Sequence, residues 1–227
     1  MACSKTFFRQ FPIFSDLADE ELIEVNDISR PKQMKKNDVV FREGDKRDAV
    51  YFVVSGLVKI YKVSEGGQEQ VINFIHSNDM FPHVGFFDDT PYPATAVTIS
   101  DTELIAIPIE AFENLLIQKP QISIKVMRVM GKKILDLQSR VQQMSTQTVF
   151  ERTVSMLLQL TDELGETDDN GEILVSLPIT NADLANMIGV TRESVNRTFN
   201  QLKKSNIITY TRQQVVVHDY EALIDRI

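Results

Sequence analysis

The hydrophobic pattern of this 227-residue chain changes period once, near Pro108, and that change restricts the fold to a β-rich part followed by a helical part. From about Met34 to Ile107, short β-branched and aromatic runs alternate with turn residues. Val50-Tyr51-Phe52-Val53-Val54 leads through Ser55-Gly56 into Leu57-Val58-Lys59-Ile60-Tyr61-Lys62-Val63. Glu65-Gly66-Gly67-Gln68 then turns the chain back into Val71-Ile72-Asn73-Phe74-Ile75. No helical period separates these runs, which disfavours βαβ units and points to an antiparallel barrel or sandwich.

After Pro108 the pattern is helical, with a break near Pro120 and a restart at Gln121. Met127, Met130, Ile134, Leu137, Val141 and Met144 are spaced alternately by three and four, as the a and d positions of a short heptad seam. Lys132, Lys133, Asp136, Gln138, Arg140 and Gln142 keep the other faces polar. A seam between two copies of the chain and a stripe packed within one copy both produce this pattern. Val149 to Leu164 forms a second helical stretch, and the polar, Gly-containing run from Gly165 to Gly171 marks a loop.

Thr180-Asn181-Ala182-Asp183 has the form of an N-cap with an acidic third residue, followed by Leu184, Ala185 and Ile188 at helical spacing. Gly189 ends that helix, Val190 fills the turn, and Thr191 caps a second helix running to about Lys204. Two short helices joined by a tight Gly-containing turn are the sequence form of a helix-turn-helix. On the second helix Val195, Phe199 and Leu202 make one apolar stripe, while Arg192, Glu193, Asn196, Arg197 and Asn200 occupy the opposite side.

Arginine can donate two hydrogen bonds to guanine, glutamate can accept from the cytosine amino group, and asparagine can pair with adenine, so that side suits base edges. An ordinary solvated helix face would have the same composition without the preceding turn. Ile207-Ile208-Thr209-Tyr210 and Val215-Val216-Val217-His218, joined by Thr211-Arg212-Gln213-Gln214, then form a hairpin where a wing belongs.

Charge sharpens this reading. The chain as a whole carries a formal net charge of −8, which argues against coating nucleic acid or an anionic membrane by bulk attraction. From Thr191 to Arg212, however, Arg192, Arg197, Lys203, Lys204 and Arg212 face only Glu193. Lys203 and Lys204 at the helix end suit phosphates, which set affinity and orientation without reading sequence. Double-stranded DNA is therefore the expected partner. With no apolar run of membrane length and no signal-peptide pattern at the N-terminus, a cytoplasmic protein is expected. The single cysteine, Cys3, forms no intramolecular disulfide and cannot by itself hold an iron–sulfur cluster.

The segment Thr180-Asn181-Ala182-Asp183-Leu184-Ala185 through Gly189-Val190-Thr191-Arg192-Glu193-Ser194-Val195-Asn196-Arg197 resembles the helix-turn-helix of the Crp/Fnr family of bacterial regulators. Phe41-Arg42-Glu43-Gly44-Asp45 and Tyr51-Phe52-Val53-Val54-Ser55-Gly56-Leu57-Val58 are similar to that family's cyclic-nucleotide-binding-type barrel. The resemblance implies an α+β fold. Residues 1–107 would form an antiparallel β-barrel sensor domain of jelly-roll (double-stranded β-helix) type, 108–147 a helical region with a long dimerisation helix, and 148–227 a winged helix-turn-helix. The DNA-binding residues would be Thr191, Arg192, Glu193, Asn196, Arg197, Asn200, Lys203 and Lys204, and the Met127 to Met144 seam would be the homodimer interface.

Arg192, Glu193 and Arg197 would then read a half-site similar to TGTGA in a palindrome, with half-sites on the order of 34 Å apart. RNA polymerase is the further implied partner. Members that bind cyclic AMP carry Gly-Glu and Arg-Ser pairs in the barrel; Pro82-His83 and Pro93-Ala94 stand in those places here. Losing the arginine removes a bidentate phosphate partner, and proline offers no N–H instead, so cyclic-AMP control is not expected.

The oxygen-sensing branch needs several cysteines. Some relatives bind haem through histidine, and His76 and His83 lie in the barrel segment, so the cofactor stays undetermined among haem, another small molecule and none. A metal-dependent cupin-type enzyme is the rival from another class. It needs closely spaced histidines with a glutamate, whereas His76 and His83 are seven apart and His218 is remote. No Walker glycine loop or nucleophile elbow is present in the sequence, so no catalytic residues are assigned.

Overall fold

The computed structural model describes residues 5–67, 69–169, 171–176, 180–211 and 214–227. Cys3, Gln68 and Arg212 lie outside the described residues, as do the side chains of Arg140 and Met144. The chain divides into two compact units, Met1–Asp136 and Leu137–Ile227.

The first unit opens with a 3₁₀ turn (Lys5–Gln10) and helix α1 (Asp19–Ile28). Eight strands follow: β1 (Arg30–Met34), β2 (Val39–Phe41), β3 (Ala49–Ser55), β4 (Val58–Val63), β5 (Glu69–Ile75), β6 (Met80–Phe81), β7 (Thr95–Thr98) and β8 (Thr102–Pro108). Then come α2 (Ile109–Gln118) and the long α3 (Pro120–Thr146), inside which the boundary between units falls. The strands form two four-stranded sheets, β1-β8-β3-β6 and β2-β7-β4-β5, with every pairing antiparallel. This is the barrel that the sequence leads one to expect, and the helical break falls at Lys119, just before Pro120.

The central strands explain why Val50 to Val54 is continuously apolar instead of alternating. Tyr51 and Val53 join Phe41, Val58, Ile75, Phe81, Tyr92 and Leu104 in a cluster drawn from both sheets. Val50 and Phe52 pack on the other face with Phe8, Phe11, Phe14, Leu22, Phe112 and Ile122, where the N-terminal segment and the α2–α3 region cover β3 and β8. A strand buried on both faces loses its period-2 signature. Each fully buried phenylalanine contributes roughly 1.5–3 kcal/mol relative to exposure.

The second unit contains α4 (Val149–Leu164), β9 (Gly165–Thr167), β10 (Ile173–Ser176), α5 (Asn181–Ile188), α6 (Arg192–Lys204), β11 (Ile208–Tyr210), β12 (Gln214–Val217) and α7 (Tyr220–Ile224). Thr148 caps α4: its hydroxyl accepts the Glu151 N–H at 3.2 Å, and the Glu151 carboxylate accepts the Thr148 N–H at 2.7 Å. The sheet order β11-β12-β10-β9 corrects the sequence reading in one respect. Gly165–Thr167, expected as loop, is an edge strand paired with β10 in the register Val175↔Gly165 to Ile173↔Thr167. All three of its residues are exposed, so no apolar face betrays it; only the turn at Asp168–Gly171 shows in the composition. Among the described residues no helix is long and apolar enough to cross a membrane.

Candidate nucleic-acid interface

Local chemistry fixes the α5–α6 pair. The Thr180 hydroxyl accepts the Asp183 N–H at 3.2 Å and the Asp183 carboxylate accepts the Thr180 N–H at 2.9 Å, a reciprocal cap worth about 1 kcal/mol. Gly189 sits at φ 68°, ψ 42°, and the N–H groups of Gly189 and Val190 both reach the Ala185 carbonyl. That left-handed position favours glycine, which has no Cβ to clash. Arg152 of α4 donates to the Ile188 carbonyl at 3.1 Å, placing a cation at the C-terminal end of α5 where the helix dipole favours it. The Thr191 hydroxyl then accepts the Ser194 N–H at 3.2 Å and starts α6.

Val195, Thr198, Phe199 and Leu202 of α6 are buried. On the opposite side Arg192, Glu193, Arg197, Asn200, Lys203 and Lys204 are exposed and Asn196 is half-buried. Glu193, Asn196, Arg197, Asn200 and Lys204 line one groove together with Gln201. Of the remaining sequence-derived DNA candidates, Arg192 and Thr191 lie outside that groove, with Thr191 acting as the cap. Lys203 lies with its ammonium 5.8 Å from the centre of the Tyr210 ring. Gln201, one turn beyond Arg197, was within reach of the helical spacing.

Two further residues act on this face from other elements and carry no local signal. Asn181 of α5 donates from Nδ2 to Asn196 Oδ1 at 2.7 Å. Tyr210 of β11 donates from Oη to Asn200 Oδ1 at 3.0 Å, its ring held edge-on to Phe199 at 5.2 Å.

On α3, Met127, Ile134, Leu137 and Val141 are exposed, each by more than half, and Leu135 joins them at 65%. Met130 differs, because it packs against the apolar cluster under β3 and β8. Gly131 is exposed, and a Cβ there would meet nothing.

Aromatic rings stack within the barrel cluster, beside Val53, Val58, Ile75 and Leu104. Phe41 stacks on Tyr92 with centroids 3.8 Å apart and an interplanar angle of 4°, and Tyr51 stacks on Phe81 at 5.4 Å. Burial pushes the Tyr92 phenol up to about 12 and raises Tyr51 as well, so both stay neutral at physiological pH.

The segment carrying Pro82, His83, Pro93 and Ala94 is anchored by Arg47. This arginine is 6% exposed, donates to the Val84 carbonyl at 3.3 Å and pairs with Asp88. A Cβ on Gly85 would overlap its guanidinium. Hydrogen bonds from the Thr90 hydroxyl and N–H, then Arg47, bring the Asp88 carboxyl down to about 2. His83 has its Nε2 buried without a hydrogen-bond partner, and burial followed by the nearby Lys133 charge lowers it to about 4. His76 follows β5 in the turn toward β6, and His218 bridges Glu172 at 2.7 Å and Thr209 at 3.2 Å. Among the described residues no three His, Cys, Asp or Glu side chains converge as a metal ion would require.

With this geometry in view, the comparisons with known proteins align closely. The cyclic nucleotide-binding domain model matches residues 31–119, and the Crp-like helix-turn-helix domain model matches residues 151–226. The global nitrogen regulator of Synechocystis sp. is 30% identical over 192 residues, 83% of this chain and 84% of that protein. The CRP-like cAMP-activated global transcriptional regulator of Mycobacterium tuberculosis is 26% identical over 197 residues, 87% of this chain and 88% of that protein. The structure of FixK2 from Bradyrhizobium japonicum superposes with a TM-score of 0.77 at 22% identity, covering 88% of this chain and 97% of that one. That last likeness is one of fold.

Proposed function

Because the chain belongs to the Crp/Fnr family of DNA-binding transcription regulators, non-enzymatic proteins with a sensor domain, we propose that it acts as a homodimer whose two α6 helices read a palindrome with half-sites similar to TGTGA. The observation that carries this reading is the exposed face of α6, with Glu193, Asn196, Arg197 and Asn200 together above a buried stripe, next to the Gly189 turn. Arg192 and Arg197 donate to guanine, Glu193 accepts from cytosine, and Lys203 and Lys204 serve phosphates.

Dimerisation runs through α3. Met127, Ile134, Leu137 and Val141 leave an apolar face in water that a second copy covers, while Met130 contributes from its packed position. The reading is supported by Gly131. A mid-helix glycine costs about 1 kcal/mol relative to alanine, nothing within the chain crowds it, and it lets a partner helix approach closely. We assign residues 1–107 to sensing, 108–147 to the helical connection and 148–227 to DNA binding. RNA polymerase is the further partner, and the cytoplasm, where the chromosome lies, is the place of action.

The barrel does not use cyclic AMP in this reading. This rests on Pro82-His83 and Pro93-Ala94 standing where the nucleotide-holding pairs belong. The test of the dimer reading is sedimentation equilibrium with competition binding on Ile134→Glu/Leu137→Glu. The double variant should be monomeric and lose palindrome binding by at least about a hundredfold. Monomers that bind the palindrome as tightly as the parent protein would end this reading.

A further inference from the structure

The two asparagines on the α6 face sit one turn apart, and each uses its side-chain oxygen on another element: Asn196 on Asn181 of α5, Asn200 on Tyr210 of β11. A carboxamide carries one acceptor oxygen and, on the same carbon, an amino group with two N–H donors. Holding the oxygen against a neighbouring element turns the amino end toward whatever the face meets. Arg192, Arg197, Lys203 and Lys204 carry donors only, and the Thr191 hydroxyl accepts within the cap, so the Glu193 carboxylate is the acceptor these residues leave for a base.

We propose that Asn181 and Tyr210 are positioning residues that set Asn196 and Asn200 as hydrogen-bond donors, and so determine which bases the protein selects. This rests on the reading of α6 as the helix that enters the major groove. There guanine offers the acceptors N7 and O6, thymine offers O4, adenine offers N7 beside an amino donor, and cytosine offers only an amino donor. Bidentate pairing with adenine needs the asparagine oxygen and nitrogen to face the base together, whereas here the oxygen is turned toward another element, which leaves adenine a single contact at N7. Opposite Asn196 the face therefore favours guanine, with two acceptors, and thymine over adenine, whose amino group meets another donor, and rejects cytosine. Asn181 also has a feature that makes it testable: it opens α5, where an acidic residue suits the helix dipole, so Asn181→Asp keeps the fold. An aspartate can only accept, which forces the Asn196 carboxamide to turn round and present its oxygen.

The experiment is selection of bound duplexes from a pool randomised over one half-site, using the full chain and its Asn196→Ala, Asn181→Asp and Tyr210→Phe variants, with a thermal melt of each. The position whose preference disappears in Asn196→Ala is the one Asn196 reads. At that position the wild type should favour guanine or thymine over cytosine on the order of fivefold, and Asn181→Asp should move the preference to adenine or cytosine. Tyr210→Phe frees the Asn200 oxygen to pair with the adenine amino group and should raise the share of adenine at a second position, giving a readout independent of Asn181. An unchanged preference in both Asn181→Asp and Tyr210→Phe, or no position that responds to Asn196→Ala, would overturn the proposal while leaving α6 as the reading helix. A pool from which the wild type selects no motif would overturn that underlying reading, and this inference with it.

Discussion

In the barrel, the residues with the richest chemistry face one another; on α6 they face away from the protein. Phe41, Tyr51, Phe81 and Tyr92 stack in the cluster drawn from both sheets, and even the buried cation Arg47 is engaged by Asp88 and a backbone carbonyl. In the C-terminal unit the buried ring of Phe199 supports α6, and the arginines, lysines and asparagines above it stand in solvent or line a groove. The contrast teaches a division of labour: interior substitutions in the barrel should change stability without changing base preference, and face substitutions on α6 should do the reverse.

The largest effect belongs to Phe41→Ala. Removing a ring stacked at 3.8 Å on Tyr92 should cost about 3–5 kcal/mol in denaturant unfolding. Duplex selectivity, measured where the variant is still folded, should not change; a shifted preference would break the comparison from the barrel side. Arg197→Ala tests the other side. It should lose about 1–3 kcal/mol of discrimination at one base pair in competition binding, with the melting transition unmoved. A loss of the same size for every duplex would mean that Arg197 serves a phosphate.

His83 sharpens the picture of a closed first unit. Its folded value of about 4 lies below the ordinary 6.5, so the unfolded chain binds more protons between those limits. Stability from this group is fully present above about pH 6.5 and is lost as the pH falls toward 4, by about 3 kcal/mol. Lys133 adds to the lowering and Asp79 opposes it. His83→Leu should flatten stability against pH across that window; an unaltered slope would place the titration elsewhere. The smallest effect is that of Gly189→Ala, about 1 kcal/mol in thermal unfolding, because alanine is strained at φ 68°. An unchanged melt would show that the α5–α6 turn tolerates another backbone path.

How much of this the sequence reveals depends on whether the determining contact is local. The α5–α6 pair is legible because Thr180, Asp183, Gly189 and Thr191 act within a few residues of one another, and Val195, Phe199 and Leu202 mark the buried stripe directly. The aromatic N-terminal segment, with Phe8, Phe11 and Phe14, gave no such signal: its role is to cover the outer face of β3 and β8, far along the chain. The same coverage hides the strand period of Val50 to Val54. Strand β9 is silent because its residues are all exposed.

Within the site, the groove residues Glu193, Asn196, Arg197 and Asn200 follow from spacing. Asn181 and Tyr210 emerge only when α5 and β11 are placed against α6. Met130 shows the limit on α3, since heptad spacing alone does not separate an exposed position from one packed on an internal cluster.

The most direct test of the account is a fluorescence-anisotropy titration of the untreated protein against a TGTGA palindrome and a scrambled duplex at fixed salt, with and without cyclic AMP. The account predicts a preference of at least about a hundredfold for the palindrome, unchanged by cyclic AMP. Equal affinity for the two duplexes, or a preference that develops only with cyclic AMP, would contradict it.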